Sequence, residues 1–244
     1  SEIVEMNEAD IADMMEELEL PGSELIKVFR MLPKAIAADV FSFLPIEVEQ
    51  EIITSLTDRE AATIIENLYA DDAADLIDEM PANVVKRLLA QTTPETRQAI
   101  NHLLQYPEDS AGSIMTVEFV DLKESYTVEQ AIERIRRVGI DKETINTCYV
   151  TNQYRKIRGT ISLRMLLLSR SGARIGDLME ENVITINTLM DQEEVARQFQ
   201  KYDFDAMPVV DSENRLVGII TVDDVMDIIE QEATEDIEMM AAIT

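Results

Sequence analysis

Apolar residues recur every twelve positions through the first hundred residues. Leu20, Leu32, Leu44, Leu56, Leu68, Met80 and Leu104 form one column, with Thr92 as its polar member. A second column lies four residues ahead: Val28, Val40, Ile52, Ile64, Leu76, Leu88 and Ile100. Apolar residues four apart share one helix face. Twelve residues make one helix of roughly two and a half turns plus a turn. Pro21, Pro33, Pro45 and Pro81 follow the first column, and Thr57 with Glu60 reads as a capping box, so each unit is punctuated where a helix begins. Helices this short cannot bury an apolar face alone. Stacked against one another, they predict a small α-solenoid.

From about residue 114 the texture changes. Val117–Val120 and Val183–Ile186 read as short strands, and 127–138 and 191–202 as amphipathic helices. Strand pairs follow, Cys148–Val150 with Arg158–Ser162 and Pro208–Val210 with Val217–Thr221. Each pair ends in a helix, near Leu163–Leu168 and Asp223–Glu230. Met115 and Met179 begin equivalent units, and Gly159 and Gly218 are equivalent. This is an internal duplication of a β-α-β-β-α unit about 60 residues long.

Charge divides the chain. Residues 223–238 hold eight carboxylates and no base on a helical pattern. Acids three or four apart on a helix destabilise it by a few tenths of a kcal/mol per pair, so something outside must tolerate or neutralise them. A hard divalent cation shared with other carboxylates would do so, and a solvated acidic face is the plainer reading. The whole carries 49 acids against 21 bases, a formal charge of −28. That field disfavours nucleic acid and anionic membrane surfaces as partners. Residues 114–177 alone carry 11 bases and 8 acids, net +3, so the remainder sums to −31. This mildly basic module could dock on an acidic neighbour or receive an anion. Cys148 is the one cysteine, which excludes an intramolecular disulfide and fits a reducing compartment. No basic n-region or apolar h-region opens the sequence, and no run approaches the ~18 apolar residues of a membrane helix. The polypeptide is expected to be soluble as it stands and could be part of something larger.

Met207-Pro208-Val209-Val210-Asp211, followed by Leu216-Val217-Gly218-Ile219-Ile220-Thr221-Val222-Asp223-Asp224-Val225, resembles a CBS domain, and residues 114–177 resemble its partner. Further stretches narrow the resemblance: Asp191–Arg197 with Tyr202-Asp203-Phe204, Glu232–Ile237, Lys34–Asp39 and Asp71–Asp75. Over nearly its whole length the chain resembles the cytosolic part of MgtE-type magnesium transporters and channels. The implied fold is an α-solenoid followed by a tandem CBS pair and the start of a connecting helix. The expected boundaries are 1–110, 111–177, 178–231 and 232–244, with transmembrane helices beyond residue 244 in the parent.

What the resemblance implies is a magnesium sensor at the cytoplasmic face of the membrane, regulatory rather than enzymatic, and a homodimer through the CBS pair. The helices 127–138 and 191–202 offer apolar surfaces for that dimer. Carried over position by position, the implied metal-binding acids are Asp39, Asp71 and Asp75; Asp191, Glu193, Asp203, Asp224 and Asp227; and Glu232, Glu235 and Asp236. Carboxylate oxygens suit magnesium, which keeps its waters and takes one or two carboxylates per site, so no compact motif is required.

Other chemistries fare worse. Residues 211–216 fail as an EF-hand loop, with Arg215 at the fifth position and no glycine at the sixth. One Cys and one His make zinc a poor fit. His102, which triad chemistry would have to use, has no local motif and reads as a surface residue. The seven glycines form neither a P-loop nor a dinucleotide fingerprint. The rival reading is a nucleotide-sensing module, because CBS pairs often bind adenosine nucleotides such as ATP. A typical site uses an Asp after the final strand for the ribose. Asp224 stands there in the second unit and Met165 in the first, while Thr147 stands where related proteins place an aromatic ring for the adenine. Arg164 and the local positive charge keep phosphate binding in play.

Overall fold

The computed structural model describes residues 6–18 and 20–242, with side chains of the final helix described to Glu230 and again at Ala233 and Thr234. Two compact bodies divide at Leu104/Gln105. In the first, the described residues form α1 (Glu8–Glu17), α2 (Gly22–Met31), α3 (Ala37–Ser42), α4 (Ile46–Ser55), α5 (Asp58–Asn67), α6 (Ala70–Asp78), α7 (Ala82–Leu89) and α8 (Pro94–Leu103). Each helix packs against the one two places along, from α1 on α3 through to α6 on α8. The second apolar column is the core of this stack: Val40, Ile52, Leu76, Leu88 and Ile100 are at most 1% exposed. Each such burial is worth about 1.5–3 kcal/mol.

The first column closes the helices rather than filling them. Leu32, Leu56, Leu68 and Leu104 are C-caps, and Pro21, Pro45 and Pro81 are N-caps of α2, α4 and α7. The Thr57–Glu60 capping box is formed, each side chain bonding the other residue's backbone N–H. Thr92 is buried, as Leu32, Leu44 and Met80 of its column are, because its hydroxyl donates to the Leu89 carbonyl at 2.9 Å and leaves no unsatisfied donor. Leu104, the last of the column, is exposed.

The second body contains α9 (Ala111–Ile114), β1 (Asp121–Lys123), α10 (Val128–Val138), β2 (Thr147–Thr151), β3 (Ile157–Ser162) and α11 (Leu163–Leu168). It continues with α12 (Ile175–Leu178), β4 (Ile186–Asn187), α13 (Gln192–Tyr202), β5 (Ala206–Val210), β6 (Leu216–Thr221) and α14 (Val222–Ala242). Two sheets result, ordered β1-β2-β3 and β4-β5-β6, each with one parallel and one antiparallel pair. The architecture is a helical domain followed by two copies of one β-α-β-β-α unit. Both hairpins turn on an Asx side chain: Asn152 Oδ1 accepts from the Tyr154 and Lys156 amides, and Asp211 Oδ1 from those of Glu213 and Arg215.

Two expectations need correcting. The strands expected at 117–120 and 183–186 lie later and are shorter, at 121–123 and 186–187. The chain ahead of them is committed elsewhere: Thr116 pairs with Ile219 on β6, and Glu180 with Thr160 on β3, so each half lends a residue to the other's sheet. Next, the apolar faces of α10 and α13 are not free for a dimer. Val128, Ala131 and Ile135, like Val195, Ala196 and Phe199, are buried in the body's own core. Exposed large apolar side chains include Leu167 and Leu168 on α11 and Val222, Met226 and Ile229 on α14, with Ile140, Tyr154, Met165, Leu189 and Phe204 elsewhere in this body. The helix α14 is continuous from Val222 to Ala242, with no Gly or Pro to stop it, so the connecting helix expected from residue 232 is its continuation.

The crossed pairing explains the matched glycines. A Cβ on Gly218 would stand 2.6 Å from Met115 Sδ and 2.8 Å from the Thr116 carbonyl oxygen. One on Gly159 would stand 2.7 Å from Met179 Sδ and 2.9 Å from the Glu180 oxygen. Glycine is required at both places by the close approach of another backbone.

Candidate functional site

In the first body the acids gather on α4 and α6. Asp71 is buried, Asp72 half-buried and Asp75 exposed. Glu49 on α4 is 8% exposed and faces them. Burial first, then the charges of Asp72 and Asp75, push its carboxyl up to about 8. Sequence reasoning missed Glu49. The available signal was its position on α4, three and four residues before the buried Ile52 and Ile53, which puts an acid on an apolar face. Asp39 lies on α3, with its carboxyl raised by partial burial and then by Glu8.

In the second body the acids divide among three places. Asp191 is the N-cap of α13, its side chain accepting from the Glu193 amide at 2.9 Å. Glu193 is paired with Arg197 one turn on, at 2.9 Å. Asp203 ends the same helix in a left-handed conformation, φ 53°. Eleven helical residues span about 16 Å, so Asp191 and Asp203 cannot share one ion. Asp224 and Asp227 lie on the first turns of α14. Asp224 accepts from the Thr221 hydroxyl at 2.6 Å, yet burial, with the charges of Asp223 and Asp227, brings its carboxyl up to about 6. Asp227 is raised by burial, then by Glu230 and Asp223. The side chains of Glu232, Glu235 and Asp236 lie outside the described residues. No group of three or more His, Cys, Asp or Glu among the described residues is arranged to enclose a metal ion.

A cleft of about 270 Å³ opens in the second body between Thr147, Ser162 and Met165 of the first half and Asp203, Phe204 and Asp205 of the second. Tyr149 also lines it, fully buried, and its hydroxyl has no hydrogen-bond partner among the described residues. The Ser162 hydroxyl accepts from the Met165 amide, and no carboxylate follows it as Asp224 follows Thr221. Arg164 is exposed on α11 and does not line the cleft. His102 is exposed, as its sequence context implied. No helix among the described residues is long and apolar enough to cross a membrane.

Comparison with known proteins follows the same division. Residues 6–109 match the MgtE intracellular N domain and residues 175–231 the CBS domain. The magnesium transporter MgtE of Thermus thermophilus is 44% identical over 158 residues, 65% of this chain and 35% of that protein. Its Bacillus subtilis counterpart is 43% identical over 145 residues, 59% of this chain and 32% of that protein. The chain thus spans about a third of the length of the curated relatives it matches. A crystal structure of the cytosolic domain of the Mg2+ channel MgtE in complex with ATP superposes with a TM-score of 0.86 at 39% identity, covering 93% of this chain and 92% of that one. The soluble part of a magnesium transporter gives 0.87 at 30% identity, covering 94% and 90%.

Proposed function

The chain belongs to the MgtE family, whose cytosolic domain it matches, and from that premise we propose that it is the magnesium-sensing regulatory region of a magnesium transporter or channel. The observation that carries this reading is the crowding of buried and half-buried carboxylates by like charges on both bodies: Glu49 by Asp72 and Asp75, Asp224 by Asp223 and Asp227. Acids whose protons are held by burial and then by like-charged neighbours are chemically suited to a hard divalent ion. The residues that would hold it are Asp39, Asp71 and Asp75 on the helical domain and Asp191, Asp203, Asp224 and Asp227 on the CBS pair. Glu232, Glu235 and Asp236 would extend the set along α14, whereas Glu193 would first have to leave Arg197. Two unit charges about 4 Å apart interact by ~4 kcal/mol at an effective dielectric near 20, and a millimolar site supplies about as much. Several weak sites of that size bias a domain arrangement, compact at high magnesium and open at low. In the parent protein the compact state would favour a closed pore at the cytoplasmic face of the membrane. The test is the magnesium dependence of the chain's dimensions in solution. No change between magnesium-free and millimolar conditions sinks the reading.

We also propose a homodimer through the CBS pair, built on the exposed Leu167, Leu168, Met226 and Ile229. Leu168→Glu with Met226→Glu should halve the mass seen by sedimentation at tens of micromolar, and an unaltered mass would remove this surface from consideration. A second reading, adenosine nucleotide binding in the cleft, is favoured by the crystallised relative in complex with ATP. Met165 and Thr147 weaken it here, since one offers no carboxylate to a ribose and the other little stacking area. Calorimetry should therefore give weak or no ATP binding, and a low-micromolar constant lost in Arg164→Ala would favour the second reading.

A further inference from the structure

We propose that the first half of the duplication binds a phosphate-type oxyanion in a cleft beside its β2–β3 hairpin, through Arg155, Lys142 and Thr151. The cleft, about 240 Å³, is separate from the one lined by Met165 and Asp203, and Phe119 and Leu216 form its apolar side. Its remaining carboxylate, Asp121, is paired with Arg134 and lies 4.0 Å from Lys123. Two cationic side chains, Lys142 and Arg155, thus line the cleft against one carboxylate, in a chain whose total is −28.

The second half acts as an internal control on what the fold alone requires. Arg155 and Asn214 occupy the same hairpin position, each with φ 63°. That left-handed conformation is easy for Asn and strained for Arg. Arg is therefore a poor choice for the turn, and its guanidinium is held over the cleft, with Nη2 donating to the Leu216 carbonyl at 3.4 Å. Thr151 ends β2 as Val210 ends β5, and both are buried. The first half has placed a hydroxyl where the second packs a methyl, and that hydroxyl accepts from Lys123 Nζ at 3.4 Å. Lys142 has no counterpart at all. It lies in residues 139–146 between α10 and β2, where the second half needs only 203–205 between α13 and β5. Three departures from the twin, one against backbone preference, one against core packing and one by insertion, converge on a single cleft. A guanidinium fork, an ammonium and a hydroxyl are the donor set of a phosphoryl group. This inference does not depend on the magnesium reading.

The test is a titration of the whole chain, followed by amide NMR, with inorganic phosphate in one arm and adenosine monophosphate in the other. Sodium chloride at matched ionic strength is the control. Saturable shifts at Lys142, Thr151 and Arg155 are expected with phosphate. Saturation by the ester alone still supports a phosphoryl site and identifies its source as a larger molecule. Arg155→Asn, which installs the twin's own residue and so keeps the turn, should bind about tenfold more weakly while melting no lower. Equal affinity in Arg155→Asn, shifts reproduced by chloride, or no saturable shift at these amides would each overturn the proposal.

Discussion

Residues 114–177 carry 11 bases and 8 acids, whereas residues 178–231 carry 3 bases and 13 acids, yet the two stretches fold into the same unit with the same strand pairings. Positions that the backbone depends on are matched. Gly159 and Gly218 admit the crossing strand, Asn152 and Asp211 seed the hairpins, and Ser162 and Thr221 each hydrogen-bond the third residue of the helix that follows. Positions that the backbone leaves free are not matched. Met165 faces a cleft where its twin Asp224 is a half-buried acid, and Arg155 holds a turn that Asn214 holds more easily. Fold requirements and chemistry are thus carried by different residues, and the duplication separates them.

The largest test of this comparison is at the glycines. Gly159→Ala and Gly218→Ala should each destabilise by about 2–4 kcal/mol, since a Cβ at either place overlaps a backbone oxygen and a packed methionine. Urea denaturation should give similar losses for both. A loss in one and not the other would show that the crossed pairing is structural in only one half.

A smaller effect separates the halves by pH. The folded carboxyl of Asp224 titrates near 6, above its ordinary 3.8, so its ionisation costs more in the folded protein than in the unfolded one. The associated stability is present in full below about 3.8 and is lost as pH rises to about 6. Asp224→Asn removes this dependence and should be more stable than the parent by about 1–2 kcal/mol at pH 7, with little difference at pH 4. Met165→Asp should introduce a new pH-dependent loss in the first half. Identical pH profiles for Asp224→Asn and the parent would mean that Asp224 is solvated and carries no such cost.

The solenoid was legible because its signal is periodic: one column of seven apolar positions marks helix ends, another marks the core, and even Thr92 keeps the register. The hairpins and their following helices were legible for the same reason, from alternation and matched glycines. The first strand of each half was not. Val117–Val120 is apolar and extended, but only the sheet of the other half decides that Thr116 pairs with Ile219. The candidate acids were reached by resemblance to a family, which cannot tell a helix cap such as Asp191 or an ion-paired Glu193 from a crowded acid such as Asp224. Glu49 was missed because its burial depends on α6 packing against α4, a tertiary fact that local pattern does not contain.

The proposal that most needs testing is that magnesium binds the crowded carboxylates and makes the chain more compact. Small-angle scattering of the chain, with millimolar magnesium against sodium chloride at matched ionic strength, tests it most directly when repeated on Asp71→Asn, Asp224→Asn and the double variant. Screening by monovalent salt cannot bridge two acids, so magnesium alone should reduce the radius of gyration. Each single substitution should weaken that response, and the double should weaken it further. A radius unchanged by magnesium, or responses unaffected by both substitutions, would contradict the claim and leave these acids as a solvated surface.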